Sequence, residues 1–65
     1  MDEQFGEALK RIRDENGLSQ KDLAAMAQVD PNTISNYERG KTKPRYDVLL
    51  RLSAALNTDL YEFGR

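Results

Sequence analysis

Apolar side chains recur at helical spacing in five short stretches of the chain, with polar and charged residues between them. The first stretch has apolar residues at i, i+4 and i+7, namely Phe5, Leu9 and Ile12. This pattern predicts a helix over roughly residues 3–16, with Asp2 as its N-cap and Gly17 as its stop.

Capping signals bound the second and third predicted helices. A capping-box pattern, Ser19-Gln-Lys-Asp22, opens the second helix. Its narrow apolar stripe consists of Leu23, Ala24 and Ala27, whose small members permit close helix contact. The third helix opens at Asp30-Pro31, where an N-cap precedes a proline at the first helical position, and it ends at Gly40.

Two further helices are predicted toward the end of the chain. The fourth contains six apolar residues at helical spacing: Tyr46, Val48, Leu49, Leu52, Ala55 and Leu56. Asn57 can take the left-handed conformation that ends a helix. Asp59-Leu-Tyr-Glu62 predicts a short fifth helix that contributes Leu60 and Phe63. The chain, residues 1–65, is therefore expected to be one all-α domain of five helices whose apolar stripes form the core.

The composition narrows the possible functions. There is no His and no Cys, which removes the commonest general base, the activated thiol, disulfides and most zinc sites. No apolar run approaches the ~20 residues that span a bilayer. We therefore expect a soluble cytoplasmic protein that is not an enzyme, with no cofactor, no metal, no small-molecule substrate and no membrane association.

The charges are unevenly distributed, although 10 Lys and Arg nearly balance 11 Asp and Glu. Residues 1–38 hold 4 basic and 8 acidic side chains, a net charge of −4. Residues 39–51 hold 5 basic side chains and 1 acidic side chain, a net charge of +4. This asymmetry indicates either one positive face on an acidic body or simply a solvated basic loop.

The third predicted helix has two chemically different faces. Only three residues separate it from the second helix, which is typical of a helix-turn-helix but also occurs in antiparallel bundles. Ile34, Tyr37 and Glu38 fall on one side of the helix. The opposite side carries Asn32, Asn36 and Arg39, with Thr33 and Ser35 on its flanks. Amides and a guanidinium are the groups that read base edges and phosphates in a major groove.

The chain resembles the helix-turn-helix of phage lambda repressor and Cro-type regulators, also called the xenobiotic-response-element family. The resemblance is carried by Leu18-Ser-Gln-Lys-Asp-Leu-Ala24, Thr33-Ile-Ser35 and Tyr37-Glu-Arg-Gly40, and it extends to Leu56-Asn57 and Leu60. It implies a compact five-helix DNA-binding domain in which helices two and three, about residues 19–39, form the motif. It also implies binding to double-stranded operator DNA as a dimer and regulation of transcription, most often by repression.

The resemblance also assigns roles to individual residues. The positions that match base-facing residues are Pro31, Asn32, Thr33 and Asn36. The positions that match phosphate-contacting residues are Gln20, Lys21, Ser35, Arg39, Lys41, Lys43 and Arg45. The resemblance further implies a partly buried ion pair between Arg13 and Glu38.

Three positions depart from the family pattern. Gln28 stands where the family commonly has a left-handed Gly, at a cost of about 1 kcal/mol. Pro31 has neither an N–H nor a polar side chain, so it offers only apolar contact to a base such as thymine. Arg45 stands where the fourth helix often begins with a Ser cap, which predicts an uncapped helix start.

The sequence also gives expectations about dimerisation and about an alternative function. One recognition helix reads few base pairs, so we expect a homodimer on a near-palindromic operator, weak or absent in free solution. The apolar surface expected for self-association surrounds Leu60, Tyr61 and Phe63. A protein-interaction module of the same fold, such as an antitoxin-like or adaptor domain, is the alternative to DNA binding.

Overall fold

Four α-helices follow one another in the part of the chain that the computed structural model describes, residues 4–60. They are α1 (Phe5–Glu15), α2 (Gln20–Ala27), α3 (Pro31–Glu38) and α4 (Tyr46–Leu56). No strand occurs within these residues, so the all-α prediction is confirmed. Asp59 and Leu60 are not helical, and the remainder of the predicted fifth helix lies outside the described residues. None of the four helices is long and apolar enough to cross a membrane.

The starts of α2 and α3 have the predicted caps. The Ser19 hydroxyl accepts from the Asp22 backbone N–H at 2.9 Å, and the Ser19 N–H donates to Asp22 Oδ2 at 3.2 Å. At α3, the Asp30 carboxylate accepts from the Asn32 N–H at 2.8 Å. Gln4 precedes α1 without a side-chain cap, and the Asp2 predicted there lies outside the described residues.

The residue that ends α2 before the turn to α3 adopts the left-handed backbone conformation although it is not glycine. Gln28 has φ 60° and ψ 44°, and the Val29 N–H bonds back to the Ala24 carbonyl at 2.9 Å. Asn57 ends α4 in the same conformation, with φ 51°. The left-handed conformation was expected at both positions. At Gln28 it costs backbone energy but allows the short turn that brings α3 against α2.

The core lies between the four helices and contains the predicted stripes of α1, α2 and α3. Ile34, Leu52 and Leu60 are fully buried. The expectation that Tyr46 belongs to the core is wrong, because its side chain is 69% exposed. Tyr46 is the first residue of α4 and lies about 80° or more around that helix from Leu52 and Leu56, so it faces solvent.

The start of α1 packs against the end of α3 at Gly6. A Cβ added to Gly6 would lie 2.5 Å from the Tyr37 carbonyl oxygen and 2.6 Å from that of Glu38. These are backbone atoms that cannot move away as a side chain would. The absence of a side chain at Gly6 therefore sets how closely α1 approaches α3.

Candidate nucleic-acid interface

The α3 helix presents a polar face to solvent because its apolar residues are held in the core. Ile34 is 0% exposed and Tyr37 is 7% exposed. On the other side, Asn32 and Arg39 are exposed, and Asn36 is half-buried. The flanking residues Thr33 and Ser35 are half-buried, while Pro31 is exposed at the start of the helix. All four residues of the predicted base-reading set thus lie on α3, and none of them is buried.

Two polar residues of this face interact with one another. Arg39 Nη2 donates to Asn36 Oδ1 at 3.4 Å, a long hydrogen bond between accessible side chains. This contact leaves the Asn36 Nδ2 hydrogens directed away from Arg39. The outer surface of α3 is thus rich in hydrogen-bond donors.

A short basic segment connects α3 to α4. Lys41, Lys43 and Arg45 are exposed, and among residues 4–60 no ion pair holds their charges. Arg45 makes no side-chain cap at the start of α4, as its departure from the family pattern predicts. These cations immediately follow α3 in the chain, and all three are accessible, as are Asn32 and Arg39 on the helix.

Arg13 and Glu38 form a charge pair on the inner side of α3. Arg13 Nε lies 2.7 Å from Glu38 Oε2, and Arg13 Nη2 lies 3.2 Å from Glu38 Oε1. The side chains are 10% and 4% exposed. Arg13 Nη1 also donates to the Leu18 carbonyl at 2.7 Å. The hydrogen bond to Glu38 raises the pKa of Arg13 above its ordinary value, so the guanidinium stays charged.

Gln20 is linked to the same carboxylate, a contact that the sequence patterns did not indicate. Gln20 Nε2 donates to Glu38 Oε1 at 3.0 Å. The two residues are 18 positions apart in the chain, so no helical spacing could have connected them. Its neighbour Lys21 is exposed at the start of α2. The first two residues of α2 therefore differ, since one is held by the protein and the other extends into solvent.

Within residues 4–60 there is no group of three or more His, Cys, Asp or Glu side chains placed to hold a metal ion. Burial raises the pKa of the Tyr37 phenol, which keeps it neutral in the core.

Comparisons with known proteins agree with this geometry. A family model for the helix-turn-helix, HTH_3, matches residues 9–63. The structure of the P22 c2 repressor in complex with a synthetic operator superposes with a TM-score of 0.91 at 30% identity, over 97% of this chain and 96% of that one.

Two relatives of known sequence are similar over most of this chain. Multiprotein-bridging factor 1 of Debaryomyces hansenii is 38% identical over 60 residues, which cover 92% of this chain and 40% of that protein. The HTH-type transcriptional regulator ImmR of Bacillus subtilis is 40% identical over 53 residues, which cover 82% of this chain and 42% of that regulator. The chain therefore spans about two fifths of the length of these relatives. From its fold, its motif and these similarities, the chain belongs to the lambda repressor and Cro-type helix-turn-helix family.

Proposed function

We propose that the chain binds double-stranded DNA sequence-specifically by placing α3 in the major groove. The observation that carries this proposal is the amphipathic character of α3. Ile34 and Tyr37 are buried in the core, while Asn32, Asn36 and Arg39 remain accessible. An α-helix fits the major groove, where each base pair presents a distinct pattern of donors and acceptors. The P22 c2 repressor, which has the same fold, is known in complex with a synthetic operator.

Base reading is assigned to four residues of α3. Asn32 and Asn36 carry amides that can pair with base edges, and Thr33 adds a hydroxyl. Pro31, exposed at the start of the helix, supplies an apolar contact suited to a thymine methyl. Sequence discrimination therefore depends mainly on the two asparagines.

Phosphate contacts are assigned to residues on either side of that face. Lys21 and Gln20 lie at the start of α2, Ser35 lies on the flank of α3, and the cations Arg39, Lys41, Lys43 and Arg45 follow. Because Lys41, Lys43 and Arg45 have no ion-pair partner among residues 4–60, their charges are available for phosphate. Each phosphate that is neutralised releases counterions, so affinity should fall steeply as salt rises.

The operator is proposed to be near-palindromic and bound by two copies of the chain. A single α3 reads only a few base pairs, and two copies about 10 base pairs apart double the site. Leu60 is fully buried, so it contributes to the core rather than to self-association, and Tyr61 and Phe63 lie outside the described residues. We propose that the dimer is weak or absent without DNA, which sedimentation with and without a two-half-site duplex would test. A tight dimer at micromolar concentration without DNA would contradict this.

The regulatory role proposed is repression of transcription in the cytoplasm. A protein bound across an operator excludes other proteins from that DNA, and this requires no enzymatic activity. The similarity to the P22 c2 repressor supports this direction of regulation.

Selection of bound sites from random duplex DNA at a stated low salt concentration tests the proposal. We expect enrichment of one half-site sequence and its inverted repeat. A double variant, Asn32→Ala with Asn36→Ala, is the matched control, since it retains the basic segment but lacks both amides. It should bind duplex DNA without enriching a sequence. No enrichment with the unaltered chain would contradict sequence-specific binding.

A protein-interaction module of the same fold is the second candidate. It is favoured by two large apolar side chains on the outer side of α4, Tyr46 (69% exposed) and Leu50 (45% exposed). It is also favoured by the similarity to a protein named as a multiprotein-bridging factor. The selection experiment separates the two candidates, because only the first predicts enrichment of a DNA sequence.

A further inference from the structure

The hydrogen bond between Gln20 and Glu38 joins the two helices of the motif at the ends farthest from their turn. Gln20 is the first residue of α2, and Glu38 is the last residue of α3. The turn at Gln28 already connects the other ends of these helices through the backbone. Besides their packing in the shared core, the two helices are thus linked at both ends, by the backbone at the turn and by a side-chain hydrogen bond of 3.0 Å at the far ends.

The chemistry of this contact determines which way the Gln20 amide points. Glu38 Oε1 already accepts from Arg13 Nη2, and a carboxylate oxygen can only accept. Gln20 must therefore present its NH2 group to Glu38, and its own carbonyl oxygen points away. One N–H of the amide is used in this bond and one remains. The Glu38 side chain is 4% exposed, so the bond is shielded from competing water.

Because the bond lies at the far end of α3, losing it would change the angle of α3 relative to α2. Helices of this length extend about 12 Å, so a displacement of ~1 Å at the far end rotates α3 by about 5° around the turn. Asn36 lies in the last part of α3 and would move with Glu38, whereas Asn32 lies beside the turn and would move little. Hydrogen bonds to base edges tolerate only a few tenths of an ångström.

We propose that Gln20 is a positioning residue for base recognition, which acts through Glu38 by fixing the angle of α3 relative to α2. This inference rests on the proposed function, since it concerns how α3 reads DNA. It assigns to Gln20 a role beyond that of a phosphate contact. Its influence falls mainly on the base pair that Asn36 reads.

The test compares Gln20→Met with Lys21→Met, its exposed neighbour in the same turn of α2. Affinities are measured for the selected operator, a scrambled duplex of equal length, and operators with single base-pair changes, over a range of salt concentrations. The base pairs read by the two asparagines are first located with Asn32→Ala and Asn36→Ala. Gln20→Asn provides a second variant, because it retains an amide but is one carbon too short to reach Glu38, and chemical unfolding establishes that each variant is folded.

For Gln20→Met and Gln20→Asn we expect the ratio of operator to scrambled affinity to fall about tenfold, because a misplaced Asn36 loses most of the discrimination that one base-edge contact supplies. The loss should be concentrated at the base pair read by Asn36. Lys21→Met should weaken both duplexes equally and reduce the salt slope by about one phosphate contact.

Three outcomes would overturn the inference. In the first, Gln20→Met preserves the affinity ratio, as Lys21→Met does, and Gln20 is then only a phosphate contact. In the second, discrimination falls equally at the base pairs of Asn32 and Asn36, and a change in helix angle is then excluded. In the third, the unaltered chain has no preference for any duplex, and the proposed function fails together with the inference that rests on it.

Discussion

The junction of α1, α2 and α3 and the outer surface of α3 use similar polar side chains in opposite ways. At the junction, Arg13 and Gln20 both donate to the Glu38 carboxylate, and the two charged side chains are 10% and 4% exposed. On the outer surface, Asn32 is exposed, and Lys43 in the following segment has no ion pair among residues 4–60. Glu38 and Asn36 are only two positions apart, yet they belong to different regions.

This difference in burial separates the charges that stabilise the fold from those that are available to a ligand. A buried charge must be paired, because its desolvation is costly, and its partners then hold helices in place. An accessible polar group without a partner costs little in water and can exchange water for a base or a phosphate. Although its net charge is −1, the chain presents an accessible basic segment, because Lys41, Lys43 and Arg45 have no ion pair among residues 4–60.

The substitution with the largest expected effect is Glu38→Gln, which leaves the buried Arg13 guanidinium beside a neutral amide, with the exposed Asp14 carboxylate still 3.1 Å from its Nη1. We expect the free energy of unfolding to fall by about 3–5 kcal/mol, as measured by urea denaturation. Glu15→Gln is the matched control, because Glu15 pairs with Arg11 at 3.2 Å but is 59% exposed, and it should cost less than about 0.5 kcal/mol. Equal stability of Glu38→Gln and the unaltered chain would show that the pair is not buried in solution.

The outer surface is tested by Asn36→Ala and, separately, by Asn32→Ala. Each should lose about 1–3 kcal/mol of discrimination at one base pair, because the amide that reads that base edge is gone. Unfolding should be unaffected, since neither side chain lies in the core. Affinities for operators with single base-pair changes give the measurement. A variant that binds every duplex more weakly by the same factor would move that residue to the phosphate-contacting set.

Gly6→Ala tests the close packing beside the junction. The added methyl group would meet the carbonyl oxygens of Tyr37 and Glu38 at 2.5 and 2.6 Å, so α1 must move away from α3. Overpacking of this kind costs typically 1–3 kcal/mol, and the better helix propensity of alanine returns up to about 1 kcal/mol. We expect a net loss of about 1–2 kcal/mol in the free energy of unfolding. Glu7→Ala, at the exposed neighbouring position, should change it little, and equal stabilities of these two variants would contradict the close contact.

Local signals predicted much of the fold, whereas contacts between distant residues were not predictable from them. Ser19 and Asp30 cap their helices as predicted, because each cap depends on neighbours within three positions. The left-handed conformation at Gln28 was expected only from the family resemblance. Tyr46 has the spacing of a core residue, but its exposure depends on where α4 lies against the other helices. The hydrogen bond from Gln20 to Glu38 depends on the angle between two helices, which no repeating pattern encodes. The DNA-contacting roles stay predictions of the resemblance.

The smallest expected effect concerns Asp22, whose exposed side chain takes part in the capping box at the start of α2. Hydrogen bonds from Ser19, first from its backbone N–H, hold the pKa of Asp22 below its ordinary value. A carboxyl group with a depressed pKa stabilises the fold fully above its unfolded pKa of about 4, and this stabilisation is lost as pH falls through the folded pKa. The difference in unfolding free energy between the unaltered chain and Asp22→Asn should therefore be constant between about pH 5 and 7 and shrink below about pH 4. Urea denaturation at each pH measures it, and parallel stability curves down to about pH 3 would show that the Asp22 charge contributes nothing to the capping box.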